Sequence, residues 1–377
     1  MPRFDGGMHP LTAQSAYAAL SIPRAPTPGP AAQKPSLSGV PLRELESILA
    51  PLPRYRAVQV FSWINSGVDS FEAMNNLPLE QRRELDGRFC LRKTALTQKL
   101  EDGAGAAKLR IGVPGGIVEA VVLTDGAGRR TACLSTQLGC AMGCVFCKTG
   151  LMGLTRNLDS AEITEQFYHI RKFYPDIANI VFMGMGEPLL NLQELRRSLD
   201  VLCRTMSPRR VTVSTCGLVD GIESLAVEGP AVRLAVSITT AREELRRRLM
   251  PVSAANPLPR LKDVLLRHQR RWRRRITLEA VLLGGINLGG DDASAMAAFA
   301  EGLDVVVNLI PWNPVDGLHF EGVPLREPSA AELDRFCAAL EGFGLKTILR
   351  REKGRGVCGA CGQLGAASGK LPEAASG

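Results

Sequence analysis

The sequence predicts an α/β fold built from parallel strands with helices packed outside them. Two observations carry that prediction. From about residue 131 to 351, short apolar and β-branched runs alternate with amphipathic helical patterns. Such alternation builds a parallel sheet, because each return crossover lays a helix on its face. A separate stretch, 39–95, has only helical periodicity and reads as a small accessory domain ahead of the sheet.

Residues 1–38 are rich in Pro, Ala, Ser and Gly, ending in PRAPTPGPAAQKPSLSG. That composition cannot bury enough apolar surface to offset ordering entropy, so the segment is predicted to be disordered. In 39–95, LRELESILAPL, YRAVQVFSWINSG and LEQRRELDGRF are amphipathic segments separated by Pro and Gly breaks. Residues 96–366 form the main domain. LTQKLED, AAKLRIGV and IVEAVVLTDG read as a lead-in of short hairpin strands. The parallel-strand candidates are TACLST (131–136), NIVFMG (179–184), RVTVST (210–215), VRLAVS (232–237), RITLEAVLL (275–283), VVVNLIP (305–311) and KTILRR (346–351). Helical patterns between them include SAEITEQFYHIRKFY, LQELRRSLDVLCRTM, NPLPRLKDVLLRHQRR, DDASAMAAFAEGL and SAAELDRFCAALEGFG. A full or partial βα barrel fits, with chemistry at the C-terminal ends of the strands. A doubly wound open sheet is the alternative. Residues 367–377 read as a disordered tail.

No run of 18 apolar residues occurs, which argues against a membrane-spanning helix, and the N-terminus has no secretory apolar stretch. A cytoplasmic setting follows, in which close cysteines bind metal or do chemistry more often than they form disulfides. Six of the ten cysteines fall at 133–147 and 358–361. Cys90, Cys203, Cys216 and Cys337 read as small apolar fillers. The net charge of +8 favours an acidic partner, nucleic acid first. Two basic runs stand out, Arg246–Arg248 and the stretch from Arg267 to Arg275. Each reads either as a solvated helix face or as a phosphate-contacting patch.

The strongest local feature is STQLGCAMGCVFCKTG, directly after the first parallel strand. Cys140, Cys144 and Cys147 have the spacing C-x3-C-x2-C. Three thiolates can hold three irons of a four-iron cube and leave the fourth open. The amino and carboxylate groups of S-adenosylmethionine can chelate that iron, and one electron would then split the sulfonium to a 5′-deoxyadenosyl radical. Structural zinc, with Cys133 or another residue as a fourth ligand, is the competing reading. Zinc sites usually draw a second pair from far along the chain, whereas here three ligands crowd one loop. GMGEP (184–188) follows a strand. By itself it reads as a tight turn; downstream of the cysteine loop it reads as a ligand contact, with Glu187 as acceptor for a cationic amino group.

These residues resemble the radical S-adenosylmethionine superfamily and, more narrowly, the RlmN/Cfr family of RNA adenine methyltransferases. The resemblance spans about 40–366. It is carried by ACLSTQLGCAMGCVFCKTG, RNLDSAEITEQ, VFMGMGEPLLN, RRVTVSTCG, LMPV, VNLIPWNP and ACGQLG. It implies a partial (βα)6 radical-SAM barrel and a [4Fe–4S] cluster on Cys140, Cys144 and Cys147. It implies S-adenosylmethionine contacts at Gly186, Glu187, Ser214, Ser237, Ile238, Thr239 and Asn313. Cys361 matches the S-methylated cysteine, Cys133 its disulfide partner and Glu119 the proton acceptor. Cys358 is a competing thiol; the CGQLG context favours Cys361.

The implied chemistry uses two S-adenosylmethionine molecules. Adenine ring carbons are poor nucleophiles, so Cys361 first takes a methyl group by polar displacement. A radical then removes a hydrogen from that methyl, and the carbon adds to the base. Proton loss to Glu119 and attack by Cys133 release the product. The motifs look closer to RlmN, which implies carbon 2 of an adenosine in 23S rRNA, with adenosine 37 of tRNA as a further target. Cfr-like methylation of carbon 8, or another RNA, is the alternative. The helical module at 39–95 resembles the family's RNA-contacting domain. The family further implies an electron donor such as flavodoxin, and a monomer. Two departures stand out. Thr239 replaces a family His in Ser237-Ile238-Thr239-Thr240, and DDASAMAAF lacks a second family His. A different radical enzyme would carry a further cysteine set, and Cys358 with Cys361 are only two.

Overall fold

Proline caps the start of each α-helix of the N-terminal module. The computed structural model describes residues 34–350 and 354–365. In it α1 (Leu42–Ile48), α2 (Arg54–Ser66) and α3 (Leu79–Arg88) follow Pro41, Pro53 and Pro78. Proline presets φ and has no N–H to leave orphaned at a helix start. Gly67, in the left-handed region at φ 93°, ends α2. The apolar faces bury Leu45, Val60, Ile64, Met74 and Leu85 in a cluster that also takes Val201 from the barrel's helical layer.

The predicted disorder does not reach residue 38. Leu37 is 2% exposed and Ser38 is buried. The Leu37 N–H donates to Cys90 O at 3.0 Å, and the Cys90 N–H to Pro35 O at 3.1 Å. One apolar anchor and a short bridge order a stretch whose composition looked unstructured. Residues 1–33 and the tail at 366–377 lie outside the described residues.

β1 (Ala95–Glu101), β2 (Ala106–Val113) and β3 (Gly116–Thr124) form an antiparallel meander. β3 also pairs antiparallel with β4 (Arg130–Cys133), the first strand of the parallel set. After β4 the chain forms a small hairpin, β5 (Gln137–Gly139) with β6 (Leu154–Asn157), whose loop holds the cysteine motif and a one-turn α4 (Lys148–Leu151). Then come α5 (Ser160–Arg171), β7 (Ile177–Phe182), α6 (Leu192–Thr205), β8 (Val211–Thr215), α7 (Val219–Glu228) and β9 (Arg233–Ser237). The order continues with α8 (Glu243–Leu249), α9 (Leu258–Trp272), β10 (Ile276–Leu282), α10 (Gly290–Ala300) and β11 (Val305–Pro311). A two-stranded insert of β12 (His319–Phe320) and β13 (Val323–Pro324), then α11 (Ala330–Gly342) and β14 (Thr347–Leu349), complete it.

The main sheet runs β1-β2-β3-β4-β7-β8-β9-β10-β11-β14, parallel from β4 onward. Among the described residues its two edge strands do not pair, so the barrel is partial: six βα steps closed by a seventh parallel strand. Two helices open on capping boxes. Asp159 with Glu162 opens α5, and Ser329 with Glu332 opens α11. α7, α8 and the β5–β6 hairpin had no strong periodic signal.

The basic run at 246–248 is not one exposed face. Arg246 is fully buried on α8 and donates to Cys216 O at 2.9 Å and to Asn256 O at 3.3 Å. Arg248 pairs with Glu321 and stacks over Phe320. The run therefore does structural work here. Arg246→Met is expected to lower unfolding stability by about 2–4 kcal/mol in denaturant titrations, because two buried carbonyls lose their donor. A change within about 0.5 kcal/mol would return Arg246 to the class of surface residues.

Candidate active site

β4 delivers Cys133 at its C-terminal end, and the chain crosses directly into the cysteine loop. Gly139 makes this possible: at φ 82°, a Cβ there would sit 2.0 Å from Gly153 O on the facing chain. The Cys140 N–H donates to that same carbonyl at 2.9 Å. Cys140, Cys144 and Cys147 then line one cavity of about 150 Å³, with Gly186, Glu187, Ser214, Ser237 and Asn313 on its other walls. Burial pushes the Cys140 thiol up, and Cys147 to about 11. Among the described residues no three His, Cys, Asp or Glu side chains form a group for a single metal ion. Three thiols on one cavity wall can hold three irons of a cube and leave the fourth open.

The turn after β7 is fixed by close approach. A Cβ on Gly186, φ 98°, would meet Gln137 Cβ at 2.5 Å. Gln137 Oε1 accepts from the Glu187 N–H at 2.9 Å. The Glu187 carboxylate is buried and accepts from the amides of Leu189 (3.0 Å) and Cys216 (2.7 Å). Burial raises its pKa. A buried carboxylate on a cavity wall is a fitting partner for an ammonium group. Asn313 holds Cys361 O with its Nδ2 at 3.1 Å, while its buried Oδ1 has no partner. That free acceptor fits a donor on a bound ligand.

A second cavity of about 490 Å³ adjoins the first, and both share Glu279, Asn313 and Cys361 as wall residues. Cys133 and Arg350 line it as well. Arg350 donates to Cys361 Sγ at 3.7 Å. The Cys361 charge, more than any other group, raises the Arg350 guanidinium above its ordinary value. Cys133 is dry: burial, then the neighbouring Cys361 charge, pushes it up to about 12. Cys358 is exposed and lines neither cavity.

Not every predicted residue arrives at the cavities. Ser237 lines one, but Ile238 is buried in the core, and both Ile238 and Thr239 donate their amides to Glu279 O. Thr239 is buried at φ 58°, a strained conformation for a β-branched residue, and its hydroxyl has no partner. Glu119 lines neither cavity. It forms a buried pair with Lys108 at 3.2 Å and accepts from the Gly365 N–H at 2.9 Å. It therefore touches the segment that carries Cys361.

Sequence reading missed three residues. Glu279 accepts from Ser214 at 3.2 Å and from Asn308 at 3.2 Å at the junction of the cavities. Its signal was a lone acid in an apolar strand. Cys216 lines the cysteine cavity against Cys144, so it is no mere filler. Arg350 had no local signal.

The Radical SAM superfamily model matches residues 134–290. A probable dual-specificity RNA methyltransferase RlmN of Treponema pallidum is 43% identical over 339 residues, covering 89% of this chain and 98% of the relative. Its counterpart in Treponema denticola is 44% identical over 342 residues, covering 89% and 97%. The crystal structure of a radical SAM methyltransferase from Sphaerobacter thermophilus superposes with a TM-score of 0.81 at 36% identity, covering 88% of this chain and 99% of that one.

Anaerobically reconstituted protein is expected to hold about four irons per chain, with loss of most of them in Cys144→Ala. Iron and sulfide analysis measures this; more than four irons would point to an auxiliary cluster. Gly186→Ala is expected to weaken S-adenosylmethionine binding at least ~10-fold in equilibrium dialysis, since the added Cβ displaces Gln137.

Proposed function

This chain belongs to the RlmN family of radical S-adenosylmethionine enzymes, and from that premise we propose that it methylates carbon 2 of an adenosine in RNA. The proposed target is 23S rRNA, with adenosine 37 of tRNA as a second. The observation that carries the proposal is the shared cavity of Cys133 and Cys361 beside the three-cysteine cavity. A radical enzyme of another class has no need of two such thiols there.

Cys140, Cys144 and Cys147 would hold the cluster. Gly186, Glu187, Ser214, Ser237 and Asn313 would hold S-adenosylmethionine. When bound, the pair supplies a methyl donor and a one-electron route for taking a hydrogen atom from an S-methyl group. The rest falls to this chain. The Cys361 sulfur loses its proton and forms the S–CH3 bond as the sulfonium's own S–CH3 bond breaks and its sulfur leaves as a neutral thioether, with Arg350 as counter-charge. The methyl carbon, one hydrogen poorer, bonds to the adenine carbon, and the adduct would give up its unpaired electron through the one-electron route that the bound cluster supplies. Glu119 takes the ring proton, and Lys108 offsets its charge. This step requires the segment around Gly365 to shift, because that segment now occupies one oxygen of Glu119. The Cys133 sulfur then attacks the Cys361 sulfur. An S–S bond forms, the S–C bond breaks, and its electron pair and one proton complete the methyl group on the base.

The dry environment of Cys133 suits its late role. A thiol pushed up to about 12 stays protonated at neutral pH and does not compete with Cys361 for the first methyl group. The electron donor is proposed to be a flavodoxin-like protein, and the enzyme to act as a cytoplasmic monomer.

Mass spectrometry of rRNA and tRNA from a deletion strain is expected to show loss of 2-methyladenosine at one rRNA position. Unchanged 2-methyladenosine would refute the assignment. Cys133→Ala is expected to accumulate a covalent RNA–protein adduct through Cys361, seen as a gel-shifted band sensitive to ribonuclease. Turnover by that variant without any adduct would remove Cys133 from the mechanism.

A further inference from the structure

The segment that carries Cys361 does not rest on the parallel strands alone. It also lies against the β1–β3 meander. A Cβ on Gly356 would sit 3.1 Å from Asp102 Cβ, and one on Gly359 would sit 3.5 Å from the Val121 side chain. In the meander Lys108 stands opposite Val121, and Arg110 stands opposite Glu119. Strand side chains alternate with period two, so these four share one face. Lys108 and Glu119 are 4% and 3% exposed, and they pair diagonally, Nζ to Oε1, at 3.2 Å. Arg110 Nε brings a second cation within 3.8 Å of the same oxygen.

Each member of this pair also grips the segment, one on either side of Cys361. Lys108 Nζ donates to Cys358 O at 3.3 Å, upstream of the thiol. Glu119 Oε2 accepts from the Gly365 N–H at 2.9 Å, downstream of it. Cys358 stands at φ 47°, a conformation that a residue with a side chain keeps only when its surroundings over-determine it. The Gly359 N–H on Gly354 O, at 2.7 Å, and the ammonium on Cys358 O supply that constraint. Two charges this dry need each other, because removing one strands the other without compensation. The two grips therefore hold or yield together.

The two oxygens of Glu119 are not equivalent. Oε1 faces Lys108 and Arg110, while Oε2 faces the Gly365 amide. Cations beside Oε1 direct an incoming proton to Oε2. Once protonated, that oxygen is a donor and a poor acceptor for the amide. Resting on the function proposed above, we propose that the Lys108–Glu119 pair is a latch on the Cys361 segment, with Lys108 as a positioning residue, and that proton abstraction from the base opens it. In that step the ring C–H bond breaks, its electron pair stays on the base, and the proton goes to Oε2. The amide and the ring proton compete for one oxygen, so the latch yields to the adduct and cannot close until the proton leaves. The segment is then loose when Cys133 has to reach the Cys361 sulfur.

The test reads hydrogen exchange by mass spectrometry and iodoacetamide alkylation of Cys361 in the full-length holoenzyme. Neither readout needs RNA. In the parent the Gly365 amide is expected to be protected and Cys361 to react slowly. Lys108→Met is expected to raise exchange across 358–365 and the Cys361 alkylation rate at least ~10-fold, with exchange in β8, β9 and β10 unchanged. Lys108→Arg keeps the charge and is expected to stay within about threefold of the parent. Glu119→Gln has the shape and charge of the protonated acid and is expected to loosen the same segment at least ~10-fold. Exchange and alkylation within about twofold of the parent in Lys108→Met or in Glu119→Gln would overturn the latch, as would an unprotected Gly365 amide in the parent. A parent that shows the latch but forms no 2-methyladenosine overturns the functional reading alone; one that forms it without the latch overturns this inference alone.

Discussion

The site depends on one interaction, the tie between the C-terminal segment and the cysteine loop. The Lys148 N–H donates to Gly362 O at 2.8 Å, and Thr149 Oγ1 to Leu364 O at 2.7 Å. Gln363 reaches Pro314 O at 2.9 Å, and Asn313 reaches Cys361 O at 3.1 Å. Each such bond contributes only about 1 kcal/mol net. Together they bring parts of the chain more than 200 residues apart into one register. Without the tie, Cys361 would be a thiol near a chain end, and the cysteine loop would lose its second wall.

The same tie places Cys361 where two environments meet. On one side lie Cys133, dry and pushed up to about 12, and Arg350. On the other lie Glu279 and Asn313, shared with the cysteine cavity. The two thiols are chemically unequal although they share a cavity. The proposed division of roles between the two sulfurs draws on that inequality, which burial and one guanidinium set. Glu279 joins the two halves: it orients Ser214 and Asn308 by its carboxylate and holds the backbone of Ile238 and Thr239 by its carbonyl.

Local patterns were legible where the physics is local. The alternation of strand and helix patterns, the Pro and Gly breaks in 39–95, and the three-cysteine spacing each follow from a short window of sequence. What could not be read depended on distant partners. Arg246 looks like part of a charged surface run, yet in the interior it donates to the carbonyls of Cys216 and Asn256. Leu37 sits in a segment of disordered composition but meets Cys90. Ser237, Ile238 and Thr239 read as one contact stretch, but the strand ends at Ser237, and the next two amides turn toward Glu279. Arg350 is one arginine among many until the fold lays β14 beside Cys361.

The central claim is that this fold presents Cys361, and not Cys358, to Cys133. Mild disulfide oxidation of the intact protein, followed by nonreducing peptide mapping, tests it most directly. A dominant Cys133–Cys361 linked peptide is the predicted result. A link from Cys133 to Cys358, or a Cys358–Cys361 bridge that leaves Cys133 free, would contradict it.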